Sequence, residues 1–255
     1  MKVLVERDGP ITTVIINRND VKNAVDPETA GLLIDAFTEF DRDDTQKVAV
    51  FAGADGCFCA GYDLKSFGGR DGVDYDPEGE GPMGPSRMLL SKPVIAAVDG
   101  FAVAGGLELS LWCDMRVAEE GAIFGVYCRR WGVPLIDGGT VRLPRIVGMG
   151  RAMDMILTGR PVEAREALEW GLANRVVPKG TARAEAQNLA REIARFPELC
   201  MKADRMSAYQ QADLDLMAAL RNEAREGEAP LRQGAQAGAQ RFASGKGRSG
   251  SFEDI

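Results

Sequence analysis

Two apolar runs, KVAVFAG at residues 47–53 and PVIAAVDG at 93–100, most restrict what this chain can fold into. Neither run alternates polar with apolar residues, and each ends in glycine. Both therefore read as buried strands. Helices flank them. Pro27 follows Asp26 at a helix start, and Leu32, Leu33, Ala36, Phe37 and Phe40 then recur at helical spacing. GFAVAGGLELSLW (100–112) leaves the second strand and enters another helix. Strand-then-helix order predicts an α/β sheet with its sites at the C-terminal ends of the strands. Ahead of it, KVLVER (2–7) and ITTVIIN (11–17) flank Asp8-Gly9-Pro10 and read as a hairpin.

Composition removes whole classes of chemistry. The 255 residues include no histidine, which excludes Ser-His-Asp and Cys-His catalysis, imidazole bases and His-ligated metals. Acid–base work falls to carboxylates, Tyr, Cys, Lys, main-chain groups or water. A formal charge of −7 argues against nucleic acid or an anionic membrane as partner. The opening MKVLVERDGP has no apolar core of signal-peptide length, and no apolar run approaches a membrane span. Five irregularly placed cysteines fit a reduced, cytoplasmic chain. Cys57 and Cys59 read as small buried residues, so no metal site is expected.

Length allows one large domain or two small ones. Residues 68–85, rich in Gly, Pro and acid, show neither period and read as a loop or lid. Helical pattern follows over 138–157, 163–171, 181–195, 197–210 and 212–227, and the polar stretch 230–255 has only Leu231, Phe242, Phe252 and Ile255 as large anchors. GKGRSG (245–250) matches GxGxxG formally, but no strand precedes it.

Chemistry concentrates at two glycine turns. CFCAGYDL (57–64) bends at Gly61, and Gly105-Gly106 opens a helix carrying Glu108 in its first turn. A helix start presents unpaired N–H groups and positive dipole, and glycine lets an oxygen approach them. That arrangement stabilises an enolate or oxyanion. The plainer alternatives are that Gly105-Gly106 only allows close helix–strand packing and that Glu108 only suits the dipole.

Five segments in order resemble the crotonase (enoyl-CoA hydratase/isomerase) superfamily along nearly the whole chain: NRNDVKNA (17–24), with Asn19 in place of the usual Pro; CAGYDL (59–64); KPVIAAVDGFAVAGGLELSLWCD (92–114); FGVYCRRWGVPLIDGGTVRLPRIVG (124–148); and LTGRPVEAREALEWGLANRVVP (157–178). The resemblance implies an α/β spiral of ββα units over 1–195. It implies a C-terminal helical region, 196–255, that builds homotrimers, often paired into hexamers. It also implies a 2-enoyl-CoA substrate, with coenzyme A as carrier and no permanently bound cofactor. Its thioester carbonyl would rest between the main-chain N–H groups of Tyr62 and Gly105. The carrier would contact Val21, Lys22, Ala60, Asp63, Leu64 and Lys65.

Hydratases of this superfamily set two glutamates about a water. The first position matches Glu108, but the second falls on Cys128, a thiol that cannot replace a carboxylic acid directly. Asp137, nine residues on, is the candidate second acid, as in dienoyl-CoA isomerases; the alternative is that it caps the helix starting near Gly139. Arg129 and Arg130 are candidates to hold Asp137 ionised or to pair across a subunit contact. The expected activity is hydration of 2-enoyl-CoA; isomerisation, or acyl-CoA binding with little turnover, are the alternatives. Tyr62, Tyr127, Trp131 and the loop 68–85 are expected to line the acyl end.

Overall fold

In a computed structural model, residues 1–67, 76–247 and 252 are described. Strands β1 (Val3–Asp8) and β2 (Ile11–Ile16) form the expected antiparallel hairpin, with Asp8 opposite Ile11. Helix α1 (Pro27–Arg42) starts where the Asp26 carboxylate accepts the Thr29 N–H at 2.8 Å. Strands β3 (Val48–Gly53) and β4 (Val94–Val98) continue the sheet in parallel. From β4 the chain turns at Asp99-Gly100 into β5 (Phe101–Val103) and then α2 (Gly105–Trp112).

That strand–strand–helix step repeats. Strand β6 (Met115–Glu119) lies beside β4, and β7 (Ile123–Gly125) beside β5; α3 (Gly139–Val147) and α4 (Met149–Thr158) follow. Next come β8 (Val162–Glu163), α5 (Ala164–Trp170) and β9 (Arg175–Val177). Two sheets result, in the orders β1-β2-β3-β4-β6-β9 and β5-β7-β8. A bridge from Cys59 to Ala102 carries the turn after β3 into the second sheet. The remainder is helical: α6 (Ala182–Ala194), α7 (Glu198–Gln210), α8 (Leu216–Glu226), α9 (Glu228–Gln233) and α10 (Ala235–Ala243).

The continuous apolar runs are explained by burial on both faces. In β3, Ala49 and Phe51 face the core shared with α1 and α2, while Val48, Val50 and Ala52 face Ala186, Leu189 and Ala190 of α6. Phe37, Phe51, Phe58 and Trp112 pack edge-on in the first core, with centroids 4.8–6.4 Å apart. Behind α2, buried Arg116 donates to the carbonyls of Ser110, Cys113 and Leu172 at 3.2, 2.9 and 2.6 Å. It satisfies carbonyls that the helix end leaves open.

Several expectations change. The helix read over 138–157 is two helices, because Pro144 lies in α3 and Gly148, at φ +82°, ends it. The stretch after 230, to which the residue pattern alone assigns no element although the resemblance implies a helical region over 196–255, holds most of α9 and all of α10. A helix and not a strand thus precedes GKGRSG, whose residues 248–250 lie outside the described residues, as does Ile255. Phe252 packs edge-on against Phe196 at 5.8 Å. In the loop read over 68–85, residues 68–75 lie outside the described residues. Beyond them, Gly81 and Gly84 form a bridge and Pro85–Arg87 a 3-10 turn. No helix among the described residues is long and apolar enough to cross a membrane.

Candidate active site

Every residue of α2 (GGLELSLW) is buried, so Glu108, at 2% exposure, places the helix's one ionisable group among apolar residues and Ser110. A buried carboxylate is costly unless something compensates it. The compensation is partial: Oε1 accepts the N–H groups of Asp137 at 2.9 Å and Gly139 at 2.8 Å. Burial nevertheless outweighs both bonds, and the neighbouring Asp137 charge adds to it, so the carboxyl is pushed up to about 7. A group that titrates there serves as acid and as base near neutrality.

The head of α2 is strained and crowded. Ala104, just before it, has φ +53° and ψ −125°, a conformation rare for a residue with a Cβ. Gly61, at φ +103°, abuts it: a Cβ there would lie 2.9 Å from Ala104 Cβ and 3.1 Å from Gly105 N. The bend before Tyr62 and the start of α2 are therefore in contact. Val25 secures that bend, donating to Gly61 O and accepting from Asp63 N, both at 2.8 Å. The two readings of the glycine pair divide between the residues. Gly106 serves packing, since a Cβ would fall 2.1 Å from Cys59 O. Gly105 stands at the first helical position, where no carbonyl four residues back receives its N–H.

These groups open on one cavity of about 550 Å³. Glu108, Asp137, Cys128, Gly105 and Tyr62 line it, with Lys22, Ala60 and Leu64, and with Met83, Tyr127, Arg130 and Trp131 among the other walls. Of the residues expected at the carrier, Val21, Asp63 and Lys65 are not on this wall. The Asp63 carboxylate instead pairs with Arg18 at 3.0 Å. Lys22 extends over the Phe101 ring, 5.1 Å from its centre.

Asp137 does not cap α3. Gly138 is the capping residue and makes no side-chain cap, whereas Asp137 Oδ1 accepts from Met83 N at 3.0 Å and from the Ser86 hydroxyl. Burial pushes the Asp137 carboxyl up, while the bonds from Ser86 and Met83 and the charges of Arg87 and Arg142 pull it back. Nor do Arg129 and Arg130 hold it. Arg129 donates to Ile156 O at 3.0 Å, and Arg130 stacks on the Tyr127 ring at 4.3 Å. Arg142 and Arg87 are the arginines at this loop, donating to Asp137 O at 3.0 Å and to Ile136 O at 3.3 Å. Cys128 is buried, and its thiol is pushed up by that burial and by Glu108. It stands protonated beside the acid.

Residues 6–249 match the family model described as enoyl-CoA hydratase/isomerase. The chain belongs to the enoyl-CoA hydratase/isomerase family. It is 39% identical over 207 residues to enoyl-CoA hydratase EchA19 of Mycobacterium tuberculosis, covering 78% of this chain and 77% of that one. It is 36% identical over 197 residues to carnitinyl-CoA dehydratase of Proteus mirabilis, covering 76% and 75%. A crystal structure of enoyl-CoA hydratase EchA1 from Mycobacterium marinum superposes with TM-score 0.89 at 33% identity, over 95% of this chain and 96% of that one. The two-sheet spiral is thus the crotonase fold, and CoA thioesters are the substrate class on which the family acts.

Sequence reasoning missed Ser86, Met83 and Arg142. Met83 and Ser86 reach Asp137 through a fold of the chain that brings residues about fifty positions apart into contact, whereas Arg142 lies five residues on and reaches back to the Asp137 carbonyl. The one local signal was GPMGPS (81–86), whose paired Gly-Pro steps fix a turn instead of loosening one.

Proposed function

We propose that this family member is an enoyl-CoA hydratase, adding water to the double bond of a 2-enoyl-CoA. The main-chain N–H groups of Tyr62 and Gly105 would take the thioester oxygen as negative charge builds on it in the enolate. Glu108 is the acid/base group, taking a proton from water and delivering one to Cα. Asp137 is the second acid, which positions that water. The observation that carries this reading is a buried carboxyl, pushed up to about 7, in the same cavity as a second carboxyl and the head of α2. Lys22, Ala60 and Leu64 on the cavity wall support a carrier site there, extended by Val21, Asp63 and Lys65 from the adjoining segments. Exposed Leu216, Met217, Leu220 and Leu231 support residues 196–255 as the contact of a trimer or hexamer.

A second reading, isomerisation of enoyl- or dienoyl-CoA, is favoured by Cys128. Its thiol, pushed up by burial and by Glu108, falls by the sequence resemblance at the position of a hydratase's second glutamate. Assays with crotonyl-CoA and longer 2- and 3-enoyl-CoAs, on the wild type and on Glu108→Ala and Asp137→Ala, separate the two. Hydration lost in both variants supports the hydratase. Double-bond migration without water uptake replaces it by the isomerase. Binding without turnover overturns both.

A further inference from the structure

Ser86 is 1% exposed and is not on the cavity wall, so substrate does not reach it. A hydroxyl so enclosed needs a hydrogen-bond partner. Its partner is Asp137 Oδ1, which also takes the Met83 N–H at 3.0 Å. Two donors on one oxygen restrain the carboxyl of Asp137, which lines the cavity.

A second tie runs in parallel. Arg142 forks between the two residues, donating to Asp137 O at 3.0 Å and to Ser86 O at 2.7 Å. Gly81 leaves the room that the contact needs: a Cβ there would lie 2.0 Å from Ser86 Oγ and 2.4 Å from Asp137 Oδ1. The Asp137 N–H in turn donates to Glu108 Oε1 at 2.9 Å. One short segment, 81–87, thus meets Asp137 directly, and Asp137 in turn reaches Glu108 through its own main-chain N–H. The segment also meets the head of α2, where Met83 Sδ fills the space a Gly105 side chain would need.

We propose that Ser86 is the positioning residue for Asp137, its hydroxyl orienting that carboxyl toward the cavity and favouring its ionised form. This rests on the reading of Asp137 as the second acid. Glu108, Arg87 and Arg142 are the other charged groups facing Asp137, and Cys128 is the further titratable group on the same wall. Two carboxyls at one cavity titrate as a pair, and the acid limb of the rate profile reports the first proton lost. Removing a bond to ionised Asp137 moves that limb to higher pH.

The test is a cycle of Ser86→Ala, Asp137→Asn and the double variant, with Ser86→Thr as the hydroxyl-retaining control. Each is assayed for kcat, KM and the pH profile of enoyl-CoA hydration, with circular dichroism to verify folding. Ser86→Ala is expected to lower kcat about 10- to 100-fold with KM little changed and to shift the acid limb upward, with Ser86→Thr recovering most of the rate. In the Asp137→Asn background the Ser86→Ala loss is expected to vanish, because the two residues act as one unit. A Ser86→Ala loss that persists undiminished there, or one that appears in KM alone, overturns the proposal. Should Asp137→Asn retain full kcat, the second-acid reading fails and the proposal fails with it. Should Asp137→Asn lose activity while Ser86→Ala does not, only the proposal fails.

Discussion

Glu108→Gln is expected to inactivate the protein and stabilise it at once, with the stabilisation absent in acid and growing as the pH rises from about 4.5 to 7. Glutamine keeps Oε1 as acceptor for the Asp137 and Gly139 amides and places its NH2 on the cavity side, so the loop stays anchored. What disappears is a carboxyl whose folded value lies near 7 against an ordinary 4.5. Since the folded value is raised, ionisation opposes folding. The cost is absent below about pH 4.5, grows between 4.5 and 7, and is complete above 7. At about 1.4 kcal/mol per pH unit the full cost is about 3 kcal/mol, or roughly 5–10 °C in melting temperature for a domain of this size. Thermal melts of wild type and variant at pH 4 and pH 8 measure it. They should coincide at the lower pH and diverge at the higher, with the variant the more stable. In parallel, kcat should fall by roughly 10²- to 10⁴-fold as the acid/base group is lost. A stability gain of equal size at both pH values would refute the electrostatic argument. A less stable variant at pH 8 would show that the carboxylate contributes net binding to its two amides.

Gly61→Ala forces a Cβ into Ala104 and toward the Gly105 amide at a φ of +103°, so it should displace one proposed oxyanion donor. We expect about a 10²-fold loss of kcat, and unchanged kinetics would remove the 61–62 bend from the mechanism. Asp99, half-buried near Glu119 and with Oδ1 lacking a hydrogen bond, is pushed up to about 6 by burial and by that neighbour. Its ionisation between about pH 4 and 6 therefore costs folding stability, discounted for solvent to about 1 kcal/mol. Urea midpoints of Asp99→Asn should exceed the wild type above pH 6 and match it below pH 4; a constant offset would contradict this.

The strand runs at 47–53 and 93–100, the Asp26-capped helix and the glycine turns were legible because each is a local pattern read over a few residues. Strands β5, β7, β8 and β9 span two or three residues each, too short for a period, and they exist only because the second sheet and the edge beside β6 offer them partners. The break in the helix read over 138–157 was signalled by Pro144 and Gly148, yet the amphipathic pattern ran through both.

For the site, the sequence by itself determined which chemistry is available: no imidazole, a glutamate one turn into a helix behind paired glycines, and a thiol, Cys128, where the family resemblance implies a second glutamate. Tertiary structure alone decided how those groups behave. Whether Asp137 caps a helix or faces the cavity, and whether Glu108 titrates near 4.5 or near 7, depends on burial and on bonds from residues 29 to 54 positions away. Side-chain identity fixes what a group can donate or accept, whereas its charge and direction are set by the dielectric and the hydrogen-bond partners that folding assembles around it.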